Sequence, residues 1–274
     1  MFLINGLFSE SVSAQDRGLH YGDGVFETIA IWNGKPLCWE AHYRRLEEGC
    51  KRLRMHCPAE ESLSSEMRQL PVTKPRCIVK IMVTRGPGGR GYSPPDPAPV
   101  PTRILGLFPW PDFPPEHATA GIKARICSTR LGKNPQLAGI KHLNRLEQVL
   151  ARGEWSNPDI AEGLMLDSHG AVIEGTMSNL FCVKDDVLIT PELSSCGIAG
   201  IIRGCILELS TQINIQVSIR TFTEKELYTM DELFLCNSVI GVWPIREIEQ
   251  RSYTIGPRTQ EIRAILTRKE MIAA

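Results

Sequence analysis

Gly22-Asp-Gly-Val-Phe-Glu-Thr-Ile-Ala-Ile-Trp-Asn-Gly34 is the stretch whose reading decides the class of fold. Residues 25–32 are rich in β-formers, and the Asn33-Gly34 pair behind them is a hairpin signal. Residues 36–39 are then the expected returning strand. Immediately afterwards the period changes. Over residues 40–55, Tyr43, Leu46, Cys50 and Leu53 recur at helical spacing with Arg, Lys and Glu between them, which predicts an amphipathic helix. In front of the strand, the tight turn Gly22-Asp-Gly24 suits an Asp23 that ties to its own backbone. Glu27 and Thr28 fall on opposite faces of the strand by alternation.

Working outward, residues 2–4 read as a short strand ending at the Asn5-Gly6 turn, residues 59–70 as a second helix, and 77–84 and 103–108 as strands. Between the last two lies Arg85-Gly-Pro-Gly-Gly-Arg-Gly-Tyr92, a loop by composition. Residues 109–119 carry Pro109, Pro111, Pro114 and Pro115; proline neither continues a helix nor donates to a central strand, so this is the expected interdomain linker. It separates a small N-terminal domain, 1–108, from a larger one, 120–274, that carries Lys141. Strands are expected at 122–127, 164–166, 172–173, 179–183, 187–190, 215–219 and 233–236, and helices at 142–155, 200–209 and 259–267. Strands and helices in two blocks predict an α+β (mixed α/β) chain, not one doubly wound parallel sheet.

The chain has 274 residues with 31 Lys plus Arg and 31 Asp plus Glu, so no net charge draws it to DNA, RNA or anionic lipid. The longest apolar run, 234–245, is interrupted by Asn237 and Ser238 and is too short to span a bilayer. The start, Met-Phe-Leu-Ile-Asn-Gly6, lacks the basic and long apolar segments of a signal peptide. Nine scattered cysteines without a CxxC pair point to packed thiols in a reducing compartment, and the expected location is the cytoplasm. The six histidines show no metal spacing, and no Gly-x-Ser-x-Gly elbow occurs, so neither a metal site nor serine-hydrolase chemistry is expected.

Lys141 lies in Leu137-Ala-Gly-Ile-Lys-His-Leu-Asn144. An apolar setting lowers an amine's pKa and makes it a nucleophile fit for Schiff-base chemistry; a surface lysine snorkelling at a helix start is the alternative. Glu174, at the end of a strand in Val172-Ile-Glu-Gly-Thr-Met-Ser-Asn179, either faces a polar ligand or is satisfied by the backbone N–H groups that follow it. Gly197-Ile-Ala-Gly-Ile-Ile-Arg203 leads a glycine turn into a helix, where free N–H groups favour a phosphate. It matches neither the P-loop nor the dinucleotide pattern and is otherwise a turn. Arg90 offers a planar fork for a carboxylate in a loop that is otherwise flexible surface.

The order of these motifs is more specific than any one of them. Asp16-Arg-Gly18, Tyr21-Gly-Asp-Gly-Val-Phe-Glu27, His42-x-x-Arg-Leu46, a lysine before a helix, Glu174-x-x-x-x-Asn-Leu-Phe181 and Gly200-Ile-Ile-Arg203 together resemble the fold-type IV pyridoxal-phosphate enzymes. These include branched-chain and D-amino-acid aminotransferases and aminodeoxychorismate lyases. The likeness covers nearly the whole chain and implies a two-domain architecture, a small α/β sandwich with a larger pseudo-barrel. It implies pyridoxal 5'-phosphate as cofactor and a homodimer. Lys141 becomes the Schiff-base lysine and catalytic base, and Glu174 the partner of the pyridine nitrogen. Arg45 and the N–H groups of Ile201 and Ile202 become the phosphate site, with Asn237 or Ser238 adding a polar contact and Asn179 in the cofactor set. Arg90 and Tyr92 match substrate-carboxylate positions. Phe26, also placed against substrate, stands where the D-amino-acid enzymes carry tyrosine, so that hydroxyl is missing. Thr28 is the candidate proton donor to the leaving group. Three stretches look like the lyase branch: Met1-Phe-Leu-Ile-Asn-Gly6, Arg85 to Tyr92, and Gly139-Ile-Lys-His-Leu-Asn-Arg-Leu-Glu-Gln148. The expected reaction converts 4-amino-4-deoxychorismate to p-aminobenzoate and pyruvate by α-proton abstraction and elimination. An aminotransferase is the alternative enzyme, and a cofactor-binding protein without catalysis the alternative of another class.

Overall fold

The computed structural model describes residues 1–273. Its contacts divide the chain into two units, Met1–Pro111 with Ile140–Asn144, and Asp112–Gly139 with Arg145–Ala274.

The first unit comprises β1 (Phe2–Ile4), β2 (Leu7–Phe8), α1 (Arg17–Tyr21), β3 (Gly24–Trp32), β4 (Lys35–Pro36), α2 (Trp39–Arg52), α3 (Glu60–Gln69), β5 (Arg76–Thr84) and β6 (Thr102–Pro109). The strands form one antiparallel sheet in the order β2-β1-β6-β5-β3-β4. Alternation along β3 aims Val25, Glu27, Ile29 and Ile31 at one face, where the three aliphatic residues pack with Leu46 and Cys50 of α2 and Leu63 of α3. Phe26 and Thr28 take the other face. The returning strand expected over 36–39 is only Lys35–Pro36, because α2 starts at Trp39. Ahead of the turn at 22–24 lies a short helix that the sequence does not signal, α1, whose N-cap Asp16 accepts the Gly18 N–H at 2.8 Å. Gly22 ends it in the left-handed region, φ 62°, where glycine is the natural residue.

The second unit comprises α4 (Glu116–Thr119), β7 (Ile122–Leu131), α5 (Leu146–Arg152), β8 (Ile160–Asp167), β9 (Val172–Gly175), β10 (Asn179–Lys184), β11 (Val187–Thr190), α6 (Ile201–Gln212), β12 (Val217–Ile219), α7 (Glu224–Leu227), β13 (Glu232–Asn237), β14 (Gly241–Ile248), β15 (Arg251–Ser252) and α8 (Pro257–Arg268). Its sheet runs β12-β11-β10-β13-β14-β7-β8-β9, and a further β9–β10 pairing closes the strands from β10 to β9 into a ring. That closing pair is Glu174 opposite Asn179. Ile122, Leu164, Leu180, Leu235, Trp243 and Ile245 fill the core with Phe222. The expected α+β architecture with a barrel-like larger unit is what the chain forms.

Further expectations differ from the structure. Residues 109–119 are not wholly irregular: β6 continues to Pro109 and α4 occupies Glu116–Thr119. The helix expected over 142–155 is limited to Leu146–Arg152, and Lys141 belongs with the first unit instead of the C-terminal block. The reason is main-chain pairing. The Phe26 N–H donates to the Lys141 carbonyl and the Leu143 N–H to the Gly24 carbonyl, both at 2.9 Å, and Val25 and His142 form a β-bridge. Residues 141–143 therefore extend along β3 and cannot be helical.

Candidate active site

In the first unit the pairing with β3 brings the Lys141 Nζ to 4.5 Å from the centroid of the Phe26 ring. Lys80, opposite Thr28 in the β3–β5 register, has its Nζ 5.0 Å from the same centroid. Directly paired residues share a face, so Phe26, Thr28 and Lys80 line one side of the sheet. The sequence did not single out Lys80; its signal is the register, which periodicity alone does not supply.

On the opposite face, Glu27 points into α2. His42 and Arg45, three residues apart on that helix, both reach it: His42 Nδ1 lies 2.6 Å from Oε2, Arg45 Nε donates to Oε1 at 2.7 Å and Nη2 to Oε2 at 2.5 Å. Burial raises the Glu27 pKa, but Arg45 and His42 outweigh it and hold the carboxyl at about 2. Burial lowers the pKa of His42, with Glu27 opposing. A depressed carboxyl pKa adds stability above the unfolded value of 4.5 that is lost as pH falls toward 2. Glu27→Gln is therefore expected to lower neutral-pH stability by about 3 kcal/mol and to flatten the loss of stability below pH 4.5, measured by urea unfolding across pH. An unchanged acid limb contradicts the ion pair.

The turn at Gly22 and the loop at 85–92 meet through charge. Asp23 does not tie its own backbone as expected; its carboxylate accepts from Arg17 Nε at 2.9 Å and from Arg85 Nε at 2.7 Å. Arg90 and Tyr92 are exposed, Tyr92 at 86%. Arg90 lines a cavity of about 430 Å³ with Gln15, His20, Tyr21 and residues 87–89.

In the second unit Glu174 and Asn179 are 3% and 5% exposed. Glu174 Oε2 accepts the Ile198 N–H at 2.8 Å and lies 3.5 Å from Asn179 Nδ2, which donates to the Ile198 carbonyl at 2.8 Å. Arg145 is close enough for the Glu174 charge to oppose the lowering of its pKa by burial. Two of the N–H groups that follow Glu174 serve another carboxylate. Those of Thr176 and Met177 go to Glu162, at 3.1 and 3.2 Å, together with the Thr176 and Ser178 hydroxyls and the Gly163 N–H. Glu162 is buried, and burial pushes its pKa up against these donors. The sequence does not point to it, because all its donors but the Gly163 N–H come from 14 to 16 residues further on.

Helix α6 begins at Gly200 with no side-chain cap, and the first-turn N–H groups, Ile201 and Ile202 among them, have no intrahelical acceptor. A Cβ on Gly200 would lie 2.0 Å from Asn179 Oδ1, so glycine alone lets the helix start pack on that amide. Asn237 holds turns together: its Oδ1 accepts from Val239 and Ile240, both at 2.8 Å, and its Nδ2 donates to the Met177 carbonyl at 2.9 Å. Ser238 follows β13 and is half-buried.

Residues 24–248 match the family described as amino-transferase class IV. The chain belongs to this class IV amino-transferase family. The aminodeoxychorismate lyase of Vibrio harveyi is 36% identical over 97% of this chain and 99% of its own. The crystal structure of 4-amino-4-deoxychorismate lyase from Pseudomonas aeruginosa superposes with a TM-score of 0.94 at 43% identity, covering 99% of this chain and 100% of its own. The T.th. branched-chain amino acid aminotransferase, solved with pyridoxamine 5'-phosphate, gives 0.84 at 25% identity over 98% of this chain and 93% of its own. The class IV family thus includes both lyase and aminotransferase relatives of this chain.

Proposed function

We propose that the chain is a pyridoxal 5'-phosphate-dependent lyase that converts 4-amino-4-deoxychorismate to p-aminobenzoate and pyruvate. The observation that carries this reading is the near-complete match to lyases at both levels, 36% identity over 97% of the chain and a TM-score of 0.94.

The residues present suit that cofactor. An amine packed on an aromatic ring, a buried carboxylate and an uncapped helix start are the partners an aldehyde, a pyridine nitrogen and a phosphate require. Pyridoxal phosphate supplies an electron sink for the carbon that loses its proton. Lys141 would hold it covalently and, once displaced by the substrate amine, take that proton on Nζ. Glu174, with Asn179 beside it, would keep the ring nitrogen protonated. The Ile201 and Ile202 N–H groups and Arg45, oriented by Glu27, would hold the phosphate, with Ser238 or Asn237 adding a polar contact. Arg90 and Tyr92 would take a substrate carboxylate, and Phe26 would line the substrate side. The Thr28 hydroxyl, on the same sheet face as Phe26, would protonate the oxygen of the leaving enolpyruvate.

The competing reading is an aminotransferase, which shares the proton abstraction and differs in where the proton returns. Offered D-alanine or a branched-chain amino acid, the loaded protein is expected to form no 2-oxo acid beyond a trace. Stoichiometric conversion would favour the aminotransferase.

The assembly we propose is a homodimer. Helix α5 exposes Leu146, Val149 and Leu150 at 76%, 64% and 64%, an apolar stripe at i, i+3 and i+4 that a second copy would cover. Light scattering is expected to give twice the chain mass, falling to one chain mass in Leu146→Glu, Val149→Lys. A dimer that survives both changes would place the interface elsewhere. Among the described residues no helix is long and apolar enough to cross a membrane. Buried thiols at Cys50, Cys77, Cys127, Cys182, Cys196 and Cys236 fit the reducing cytoplasm.

A further inference from the structure

One guanidinium ties the 16–23 segment to the far end of the 85–92 loop. Arg17 is 4% exposed. Its Nε donates to Asp23 Oδ2 at 2.9 Å, Nη1 to the Gly91 carbonyl at 2.9 Å and Nη2 to the Tyr92 carbonyl at 3.1 Å. Its guanidinium carbon lies 4.8 Å from the Tyr21 ring centroid. The Tyr21 hydroxyl accepts the Gly91 N–H at 3.2 Å, and the Tyr21 and Tyr92 rings are 5.5 Å apart. At the other end, Arg85 shares Asp23 and donates to the Leu53 and Arg54 carbonyls behind α2, at 2.7 and 2.9 Å. Burial raises the Asp23 pKa, but the two arginines overcome it and keep the carboxyl below its ordinary value. Gly88 packs on the Arg17 stem so closely that a Cβ would fall 2.6 Å from Arg17 Cδ. Arg90 therefore sits between two held points, Gly88 and Gly91, on the wall of the 430 Å³ cavity.

We propose that Arg17 is the positioning residue that holds the 86–92 loop in the conformation in which Arg90 and Tyr92 bind the substrate carboxylate. This rests on the assignment of those two side chains made above. A loop with four glycines among residues 86–91 has a large conformational freedom to lose. A planar fork with separate donors for two carbonyls and a carboxylate removes it, which the single point charge of a lysine cannot do. Without the fork the competent loop conformation is a minor one, and apparent substrate affinity falls by that fraction. The proton transfers at Lys141 are untouched, because Arg17 contacts no reacting group.

The test uses the cofactor-loaded full chain, Arg17→Lys, Arg17→Met and Arg90→Ala, with 4-amino-4-deoxychorismate as substrate and amide exchange measured over residues 86–95. Arg17→Lys, which keeps a cation beside Asp23, is expected to raise KM about tenfold with kcat within about twofold, and to speed exchange at 88–92. The cofactor absorbance is expected to stay as in the parent. Arg17→Met shifts the same quantities further in the same direction. Arg90→Ala raises KM at least as much, and adding Arg17→Lys to it raises KM no further. An unchanged KM in both Arg17 variants, a fall in kcat at constant KM, unchanged exchange, or an Arg90→Ala enzyme with parental KM overturns the proposal. Failure of the lyase reading shows separately, as no product from the parent protein; the exchange measurement needs no turnover and decides whether Arg17 holds the loop.

Discussion

Lys141→Ala is expected to lower turnover of 4-amino-4-deoxychorismate by at least about 10³-fold and to end covalent retention of the cofactor, with the fold preserved. The backbone carbonyl of Lys141, not its side chain, accepts from Phe26, so alanine keeps the pairing of residues 141–143 with β3. What is lost is an amine held 4.5 Å from the Phe26 centroid. A positioned base contributes about 10²–10⁴-fold, and the same nitrogen also supplies the covalent attachment, so the combined loss sits at the upper end of that range. Two readouts check this. Steady-state release of p-aminobenzoate gives the rate. Borohydride treatment followed by mass spectrometry shows whether the cofactor's mass is fixed at position 141. A variant that keeps a tenth of parental turnover would remove Lys141 from the chemistry.

Glu174→Gln is expected to reduce kcat about 10²–10³-fold, the scale of losing one preorganised electrostatic contact in a dry site. Glutamine retains an oxygen to accept the Ile198 N–H, so the local structure that links β9, β10 and residue 198 is kept. It lacks the charge that would favour a protonated ring nitrogen. KM is expected to change little, because the carboxylate partners proposed above are Arg90 and Tyr92. Asn179→Ala, by comparison, removes a neighbour at 3.5 Å and the bond to the Ile198 carbonyl, and is expected to act mainly through cofactor affinity. A Glu174→Gln enzyme with parental kcat would sink the assignment, and a raised KM alone would move Glu174 to substrate binding.

Much of the fold was legible because its signals are local. The period-2 pattern of β3 and the helical spacing of Leu46 and Cys50 reproduce the buried faces that pack in the first unit. The helix over 142–155 failed for a reason no local pattern carries: residues 141–143 satisfy their main chain against β3, more than a hundred residues away. Strand β14 gives no alternation to read because its first five residues, Gly241 to Ile245, are a continuous buried apolar run. The sequence suggests a local turn residue at Asp23, whereas its side-chain partners are Arg17 and Arg85, the second lying 62 residues away. The candidate site divides the same way. The order of motifs along the chain nominates Lys141 and Glu174, and the glycine-rich loop nominates Arg90. Of the N–H groups that follow Glu174, those of Thr176 and Met177 close Glu162, a carboxylate the sequence does not point to. Arg45 was expected at a phosphate, and its ion pair with Glu27 was invisible because it depends on which face of β3 meets α2.

The measurement that bears most directly on the central claim is product stoichiometry. Purified, cofactor-loaded protein is incubated with 4-amino-4-deoxychorismate, with p-aminobenzoate followed by fluorescence and pyruvate by a coupled assay. The account predicts equimolar release of the two over many turnovers, with no amino acceptor added. Cofactor-loaded protein that releases neither, yet converts an amino acid to its 2-oxo acid, would contradict it and make this chain an aminotransferase.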